Sequence, residues 1–383
     1  MDRPVQGGVR VQPTVTIRDI ARMANVSVTT VSNLVNGRLG HMRATTRRRV
    51  EQVIAKYDFC PNAAAQMLRT GRARVLALVV PSVANPFWGA LSWHVERCAL
   101  QYGYHVMVCN SERDPAREVQ YVSALWRAGV RDVVLAASEP ALDHLRKFLN
   151  RGLNLVAFDR RAEPDDPPSV VSLSMDNHRG SFMAVQHLLT LGHRRVAFLS
   201  GPLRTAARME RFRGYRDAMA AAGVDVASAW VWTGGSTKGA GDAKGAELGR
   251  LGALTLIARR PRPTALFAAN DIYALGAYAA TRELRLAIPR DLSIVGFDDI
   301  ILARLANPPL TTVRQPLRAI AEAAVTQLIG RAQGLPDATW VSRVVPPRLV
   351  LRASTSAAGR NGMSSRAFTI PDQIGASTSR RRR

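Results

Sequence analysis

The sequence has few cysteines, no long apolar run and no sign of a secretion signal. Its three cysteines, Cys60, Cys98 and Cys109, form no C-x-x-C pair, which excludes a disulfide framework and a cysteine-based zinc site. No segment approaches the roughly 18 apolar residues that a membrane span needs, and the opening residues lack the apolar core of a secretory signal. We therefore expect reduced, structural cysteines in a cytoplasmic protein with no membrane partner.

Sequence motifs of common enzymes are absent as well. There is no G-x-S-x-G elbow, no H-E-x-x-H and no Walker A loop, because the lysines of the glycine-rich residues 233–245 do not follow glycine. Asp298 and Asp299 are adjacent, but the sequence places no nucleophile or second carboxylate pair to act with them. We therefore expect no catalytic residue, no metal, no cofactor and no enzymatic activity.

Acidic residues are scarce near the amino terminus, where none occurs between Ala24 and Val50. Residues 1–74 contain 13 Lys and Arg against 4 Asp and Glu, in a chain whose net charge is +24. Such a segment favours a polyanionic partner. The tail from residue 359 adds six arginines and one aspartate without apolar periodicity, which is typical of a disordered, solvated end.

The acid-free region has the sequence pattern of short helices joined by a tight turn. Thr16 lies three residues before Asp19, as in a capping box that begins a helix, and Ser27 can cap a second helix. A third helix is predicted from about Thr45 to Tyr57. This spacing predicts a helix-turn-helix unit.

The second of these helices has two different faces. On a period of 3.6 residues, Val31, Leu34 and Val35 share one face, while Thr29, Asn33 and Asn36 share the other, with Ser32 beside them. The apolar face is suited to a core. The polar face can hydrogen-bond to base edges, and it carries no carboxylate that phosphates would repel.

From Val75 onwards the sequence pattern changes to short apolar runs separated by amphipathic segments. Eight runs are read as strands: VLALVV, YHVMVCN, DVVLAAS, NLVAFDR, RRVAFLSG, AWVWTG, TALFAAN and LSIVGFDD. Their spacing leaves room for helices between them, which is the pattern of parallel α/β sheets. The region that begins at Val75 is longer than one hydrophobic core usually accommodates, so we expect two α/β lobes.

Several of these segments together resemble one protein family. TIRDIARMANVSVTTVSNLVNG, TRRRVEQVIAKYDFCPNAAAQMLRTG, NPFW, LGHRRVAFLSGP, RFRGY, FAANDIYALGA, LSIVGFDD and PPLTTVRQP occur in that order between residues 14 and 356. The chain is similar from end to end to the lactose repressor family. The resemblance implies an α/β fold class, with an all-α helix-turn-helix headpiece followed by a two-lobed periplasmic-binding-protein-like effector domain.

The resemblance also implies the domain boundaries. We expect a disordered extension, a headpiece, a hinge helix with its linker, a two-lobed effector-binding and dimerisation domain, and a disordered basic tail, over residues 1–13, 14–60, 61–74, 75–358 and 359–383 respectively.

By the same resemblance, the second helix of the headpiece reads DNA. The positions that correspond to base-reading residues of the family are Val28, Thr29 and Asn33. Asparagine suits adenine and valine can contact a thymine methyl group. A solvated polar helix face is the alternative interpretation of this pattern. Phosphate contacts are expected from Ser27, Ser32, Asn36 and Asn62.

The run NAAAQML matches the family's hinge helix. Ala65 and Leu68 are expected in the minor groove, where an apolar side chain can separate base steps and kink the DNA. The alternative is that Leu68 packs against the headpiece or against a second copy of the chain.

The resemblance implies an effector site at the carboxyl ends of the strands, where open α/β sheets bind ligands. The matching positions are Asn85, Phe87, Asp159, Arg211, Asn270 and Asp298. Such groups suit a polyhydroxylated or carboxylated molecule, such as a sugar or related metabolite. Arg211 is expected where an amphipathic helix begins. A single aspartate can instead cap a helix. For Asp271, the alternative interpretation is that it caps the helix that follows it.

These observations predict a sequence-specific transcriptional regulator, a repressor, that a small-molecule effector controls. Its partners are double-stranded DNA with a pseudo-palindromic operator, the effector and a second copy of the chain; a tetramer stays open. The alternatives are a basic protein that binds DNA without sequence preference and a solute-binding protein. The second alternative needs a signal peptide and no headpiece.

Overall fold

The structure is a computed structural model that describes residues 15–35, 40, 42–59, 72–226, 230–234, 244–334 and 340–359. The predictions for Asn36, Asn62, Ala65 and Leu68 lie outside the described residues, as do those for the extension and for nearly all of the tail. The chain forms two compact units, Met1–Ala73 and Arg74–Arg383.

The described residues of the first unit form three helices, α1 (Ile17–Met23), α2 (Val28–Val35) and α3 (Ala44–Lys56). The predicted capping box begins α1, because the N–H of Asp19 donates to the Thr16 hydroxyl and the Asp19 carboxylate accepts from the N–H of Thr16. The three helices enclose a small apolar core whose fully buried side chains are Ile20, Ala21, Ala24, Val31 and Val50.

The described residues of the second unit form two six-stranded sheets, one in each lobe. The strand order of the first sheet is β11-β5-β4-β3-β1-β2 and all its pairs are parallel. Its strands are β1 (Val75–Val80), β2 (His105–Asn110), β3 (Asp132–Ala136), β4 (Asn154–Phe158), β5 (Val170–Met175) and β11 (Arg343–Val345). The strand order of the second sheet is β12-β10-β9-β8-β6-β7, and among its described strands only β12 is antiparallel to its neighbour. Its strands are β6 (Val196–Leu199), β7 (Val231–Trp232), β8 (Ala265–Ala268), β9 (Ser293–Asp298), β10 (Thr311–Arg314) and β12 (Arg348–Val350).

Helices cover these sheets, and their bounds place several helix starts at the carboxyl ends of strands. They are α4 (Pro86–Gln101), α5 (Pro115–Arg127), α6 (Arg146–Leu149), α7 (Asn177–Thr190), α8 (Ala206–Ala221), α9 (Gly245–Ile257), α10 (Asp271–Glu283), α11 (Ile301–Leu305) and α12 (Leu317–Gln333), with a short 3-10 turn at Asp143–Leu145.

The two expected lobes are present, and the chain passes between them three times. It leaves the first lobe after β5, returns after β10, because α12 packs on α4 and on β3, β4 and β5, and leaves again between β11 and β12. The central strands β1, β3, β4, β8 and β9 are almost wholly buried, as expected of parallel strands that are covered on both faces.

All eight predicted strands exist, but four strands were not predicted from their own sequences. These are β5, β10, β11 and β12, whose residues include serine, threonine and arginine at positions that break an apolar run. The third helix begins one residue earlier and ends one residue earlier than predicted. Arg211 was expected where its helix begins, and this was wrong, because α8 starts five residues before it at Ala206.

Glycine permits the close approach of α9 and α10. A Cβ atom on Gly276 would lie 2.2 Å from the carbonyl oxygen of Ala246 and 2.6 Å from the amide nitrogen of Arg250. Both contacts are with backbone atoms, which move only if the helices separate. The side chain that any other residue brings therefore does not fit here.

We expect Gly276→Ala to lower the free energy of unfolding by about 1–3 kcal/mol through overpacking. Gly89→Ala is the matched control, because Gly89 lies within α4 and a Cβ atom there would have no neighbour within 4 Å. That change should stabilise the protein by about 0.5–1 kcal/mol, the usual gain of alanine over glycine within a helix. Urea denaturation of both variants measures the two values, and equal effects at the two positions would contradict the packing argument.

Candidate functional site

The exposed part of α2 lies at its amino-terminal end. Val28 is 42% exposed, and Thr29 beside it is also exposed. Ser27 caps the helix, since the N–H of Thr30 donates to its hydroxyl oxygen at 3.1 Å. Asn33 lies one turn further along and is half-buried. Small polar groups therefore surround an exposed apolar side chain at the start of this helix.

Two carboxylates of the headpiece are paired with arginines within their own helices. Asp19 contacts Arg22, and Glu51 accepts from Arg47 at 2.7 Å. Hydrogen bonds from Thr16 are the main reason that the pKa of Asp19 lies below its ordinary value, and Arg22 acts in the same direction. Neither carboxylate lies on α2, so its face stays free of negative charge.

The second unit has a cleft that is open to solvent, where residues from both lobes meet. Every residue that was predicted for the effector site lines this cleft. The described lining residues are Asn85, Phe87, Trp88, Arg113, Asp159, Thr205, Ala207, Arg208, Arg211, Ala269, Asn270 and Asp298.

Arg211 is at the centre of the polar contacts in the cleft. It is 6% exposed, and its guanidinium lies 3.8 Å from the centroid of the Phe297 ring. Its Nε donates to Asn177 Oδ1 at 2.8 Å, and Nη1 donates to the carbonyl oxygen of Ala269 at 2.7 Å. Because lysine has no planar fork, it cannot make this set of bonds.

Two carboxylates flank the Arg211 guanidinium, one from each lobe. Nη1 lies 3.5 Å from Asp298 Oδ1, and Nη2 lies 4.0 Å from Asp159 Oδ2. Asn177 also donates to Asp159 at 2.9 Å, and Gln315 donates to Asp298 at 2.7 Å. These contacts hold acceptors and donors from both lobes against one cation.

The backbone at both aspartates has positive φ, at 63° for Asp159 and 119° for Asp298. A residue other than glycine adopts such angles at a cost, and they occur often where a functional side chain must be aimed. Burial raises the pKa of Asp159, while Arg211 and Asn177 oppose the rise. The nearby Arg211 guanidinium therefore stabilises the charged form of the Asp159 carboxyl.

Three lining residues also begin helices that point towards the cleft. The side chains of Asn85 and Asn270 accept from the N–H groups of Phe87 and Tyr273, at 3.1 Å and 2.8 Å. Thr205 likewise accepts from the N–H of Arg208 at the start of α8. The cap of α10 is thus Asn270, and the alternative interpretation of Asp271 as the helix cap was wrong.

Asp271 is the first residue of α10 and holds neighbouring segments together. It is fully buried and accepts from the N–H of Ile300 at 2.9 Å and from the Thr312 hydroxyl at 2.6 Å. Burial, together with the charge of Asp298, raises its pKa well above the ordinary value. The residue lies behind the cleft wall and does not line it.

Sequence reasoning missed several residues of the cleft. Trp88, Arg113, Thr205 and Arg208 line it, and Asn177 joins Arg211 to Asp159. Arg113 follows β2 in the way that Asn85 follows β1, so the rule that found Asn85 could have found it. Asn177 follows β5, a strand that was not predicted, and no signal in the sequence pointed to it.

No described helix is both long enough and apolar enough to cross a membrane. Within the same residues, no group of three or more His, Cys, Asp or Glu side chains is arranged to hold a metal ion. A helix-turn-helix unit and a polar two-lobed cleft in one chain define a DNA-binding protein with a small-molecule domain.

Comparison with known proteins identifies the family to which the chain belongs. Residues 16–62 match the bacterial regulatory proteins of the lacI family, and residues 185–355 match the periplasmic binding protein-like domain. The chain is 34% identical over 344 residues to the HTH-type transcriptional regulator DegA of Bacillus subtilis (strain 168), covering 89% of this chain and 98% of that protein. It is 33% identical over 319 residues to the ribose operon repressor of Escherichia coli (strain K12), covering 82% and 92%.

Solved structures show the same architecture. The lac repressor dimer bound to operator and the anti-inducer ONPF aligns with a TM-score of 0.76 at 27% identity, covering 90% of this chain and 100% of that chain. The transcriptional regulator CelR in complex with cellobiose aligns with a TM-score of 0.63 at 28% identity, covering 89% and 99%. The chain belongs to the lacI family of bacterial regulatory proteins and is a DNA-binding transcriptional regulator. The family assignment favours this function over the solute-binding and non-specific alternatives.

Proposed function

We propose that the protein is a dimeric, cytoplasmic repressor that binds a pseudo-palindromic operator and changes its affinity for that operator when a small molecule occupies the cleft. The observation that carries this proposal is the presence, in one chain, of a carboxylate-free helix-turn-helix face and a cleft lined by charged and polar groups from two lobes. A DNA-binding protein does not need a ligand cleft, and a ligand-binding protein does not need a helix-turn-helix unit. Together they link recognition of DNA to recognition of a ligand.

Operator recognition is assigned to α2. Val28, Thr29 and Asn33 contact bases, and Ser27 and Ser32 contact phosphates, with Asn36 and Asn62 in the same role. The exposure of Val28 and Thr29 supports the assignment, because a valine that is left in water on a small domain gains by contact with a thymine methyl group. The amino-terminal end of the helix also favours nearby phosphates.

The hinge assignment follows from sequence alone. Residues 61–74 form a hinge helix and linker between the headpiece at 14–60 and the effector domain at 75–358, with Ala65 and Leu68 in the minor groove. Insertion of such a side chain costs unstacking energy and is repaid by the bent DNA that it permits. Closure of the two lobes then controls the hinge helices' access to DNA.

The effector is a sugar or a related metabolite that Asn85, Asp159, Asn270 and Asp298 hold by hydrogen bonds, with Arg211 as a planar donor. Phe87 supplies an apolar surface and packs edge-on against Trp88, with ring centroids 4.8 Å apart. This combination of one aromatic wall and several convergent polar groups is typical of small-molecule sites.

Dimerisation is supported by apolar side chains that are left in water on the effector domain. On α11, Ile301 and Leu305 are 59% and 73% exposed. Neighbouring exposed apolar residues of this kind occur at subunit interfaces. A symmetric dimer requires two half-sites in the DNA, which is why we propose a pseudo-palindromic operator.

Asn33→Ala tests the assignment of the recognition helix. We expect it to change base preference at one position in each half-site, with a cost of about 1–3 kcal/mol for each lost bidentate contact. The measurement is selection of bound sites from random duplex DNA by the wild type and by the variant. Equal weakening on selected and random DNA would assign Asn33 to phosphate contact and would refute the base-reading role.

A further inference from the structure

The edge of the second sheet that lies opposite the cleft is rich in arginine. The segments that follow the carboxyl ends of its parallel strands supply Thr205, Asn270 and Asp298 to the cleft, so the amino ends of the same strands lie at the far edge. Residues 191–195, 222–226, 258–264 and 284–292 lead towards β6, β7, β8 and β9 at that edge. We call these segments the basal connections. They contain seven arginines and two aspartates.

Hydrogen bonds join the basal connections to one another. The N–H of Thr264 donates to the carbonyl oxygen of Arg195 at 2.9 Å, and Arg195 Nε donates to the carbonyl oxygen of Arg262 at 2.9 Å. The N–H of Ser293 donates to the carbonyl oxygen of Thr264 at 3.1 Å. His193 contacts the hydroxyl groups of Thr264 and Ser293, at 3.0 Å and 3.2 Å. The arginines of these segments therefore share one surface.

Backbone carbonyl groups position several of these arginines without neutralising them. Arg194 Nη1 donates to the carbonyl oxygen of Leu189 at 3.0 Å, and Arg260 Nη1 donates to that of Arg259 at 3.3 Å. A carbonyl group carries no net charge, and a guanidinium has more N–H groups than these bonds use. Arg194, Arg259 and Arg260 are all exposed to solvent. Their positive charge is therefore accessible from outside the protein.

The aspartates offset only a small part of this charge. Asp291 pairs with Arg290 at 3.2 Å, the one ion pair that the described residues form within the basal connections. Burial acts to raise the pKa of Asp291, but Arg290, the N–H of Ala287 and Arg262 oppose burial, and the pKa lies below its ordinary value. The other aspartate, Asp225, is exposed. Two aspartates against seven arginines leave the surface strongly positive.

The basal connections lack the apolar side chains on which protein interfaces are usually centred. In the described part of the chain, none of the exposed large apolar side chains lies in them. Arginine, by contrast, matches phosphate with a planar fork of donors. The surface therefore suits a polyanion better than a protein partner. DNA is the polyanion that a helix-turn-helix headpiece keeps at high local concentration.

We propose that the basal connections form a second DNA-binding surface, which contacts the phosphates of a duplex without reading its sequence. This goes beyond the proposed function, because neither operator recognition nor effector binding needs such a surface. The duplex is the flank of the operator-bearing molecule or a separate molecule, and the phosphate chemistry is the same in both. Contact with phosphates releases counterions, so the affinity falls steeply as salt increases.

The test first occupies the headpieces. The full chain is saturated with a short operator duplex obtained by selection, and a fluorescent duplex of random sequence is then added at several salt concentrations. Fluorescence anisotropy should show binding of this second duplex with a dissociation constant of about 10⁻⁴ to 10⁻⁶ M at physiological salt, the usual range for non-specific binding. An operator duplex with long flanks, compared with the short one, shows whether the flank can occupy the surface.

Substitutions locate the surface. The basal triple variant, with Arg194→Gln, Arg259→Gln and Arg260→Gln, should bind the random duplex about tenfold more weakly, and its salt slope should fall by about 0.9 for each phosphate contact that is lost. Its affinity for the short operator duplex should stay within about twofold of the wild type, which separates this surface from the headpiece. The control triple loses the same charge from exposed positions on α7 and α8, namely Arg179→Gln, Arg213→Gln and Arg216→Gln. It should bind the random duplex as the wild type does.

Four results would overturn the inference. The operator-saturated chain could fail to bind the random duplex, or the two triple variants could lose equal affinity, which would assign binding to net charge. Removal of residues 360–383, which contain six arginines, could abolish binding while the basal triple keeps it. That alternative is a strict one, because the N–H of Ala358 donates to the carbonyl oxygen of Leu191 at 2.8 Å and so brings the chain to the basal connections. Finally, duplex RNA could bind more tightly than DNA of the same sequence.

Discussion

Arg211→Met is expected to lower the free energy of unfolding of the effector domain by about 3–5 kcal/mol, the cost of removing one partner from a buried ionic cluster. The substitution leaves Asp298 and Asp159 without the cation that lies 3.5 Å and 4.0 Å away. It also removes the donor to the Ala269 carbonyl. A methionine fills similar space against the Phe297 ring, so lost packing accounts for little of the effect.

The loss of stability in the Arg211→Met variant should depend on pH. Burial already raises the pKa of Asp159 above the ordinary value of 3.8, and Arg211 opposes that rise. Without Arg211 the folded-state pKa rises further. A carboxyl whose pKa is raised by folding contributes stability at low pH and loses it as the pH rises through the folded-state value. The free energies of unfolding of the variant and the wild type should therefore differ least near pH 4 and most at neutral pH.

Urea denaturation across this pH range measures the effect, with Arg213→Met as the control. Arg213 lies two residues further along α8, where it is exposed and pairs with Glu210. Its replacement should change stability by no more than about 0.5 kcal/mol, as expected of a surface position. Similar losses for the two variants, or a deficit that is independent of pH, would assign Arg211 a packing role only.

Arg211→Lys separates charge from geometry. It retains the cation but loses the planar fork, so we expect the affinity for the effector to fall by about 1.5–3 kcal/mol, the worth of a charged hydrogen bond. Operator affinity without effector should stay near that of the wild type if the effector is an inducer. Normal effector binding by this variant would contradict the assignment of Arg211 as a clamp.

The second large effect is expected from Asn33→Asp, which should weaken operator binding about a hundredfold or more in the dimer, as each half-site loses about 1–3 kcal/mol. The change replaces a donor by an acceptor and places a negative charge on a helix that has no acidic residue in its first turn. Phosphates on both sides of the groove then repel it.

Gln52→Glu is the matched control for this charge. It makes the same amide-to-carboxylate change on the exposed face of α3. Fluorescence anisotropy with a duplex obtained by selection gives both affinities, and circular dichroism checks that each headpiece is folded. A control that loses as much affinity as Asn33→Asp would mean that net charge alone, and not the face of α2, governs binding to DNA.

The strands and helices that could be predicted are those whose signal is local. Capping at Thr16 and the apolar face of α2 depend on residues three or four apart, and the apolar strands depend on continuous runs. The strands that were not predicted lie where the sequence has no continuous apolar run. β11 and β12 have three residues each and are stabilised by sheet partners at least 34 residues away along the chain.

The cleft was only partly predictable for the same reason. Asn85, Asp159 and Asn270 follow predicted strands, so a general rule about strand ends finds them. Asn177 holds Arg211 only because the chain crosses between lobes after β5. Arg208 and Arg113 line the same cleft only because the two lobes meet there. Such contacts depend on tertiary arrangement, which a single sequence does not encode in any local pattern.

The central claim is that the ligand in the cleft and the operator on the headpiece are coupled, and reciprocity tests it most directly. The operator affinity of the full chain is measured with and without the ligand that binds the cleft, and the ligand affinity is measured with and without operator. We expect both ratios to equal the same factor, of about 5 to 150. A ligand that binds the cleft while operator affinity stays constant would contradict the account.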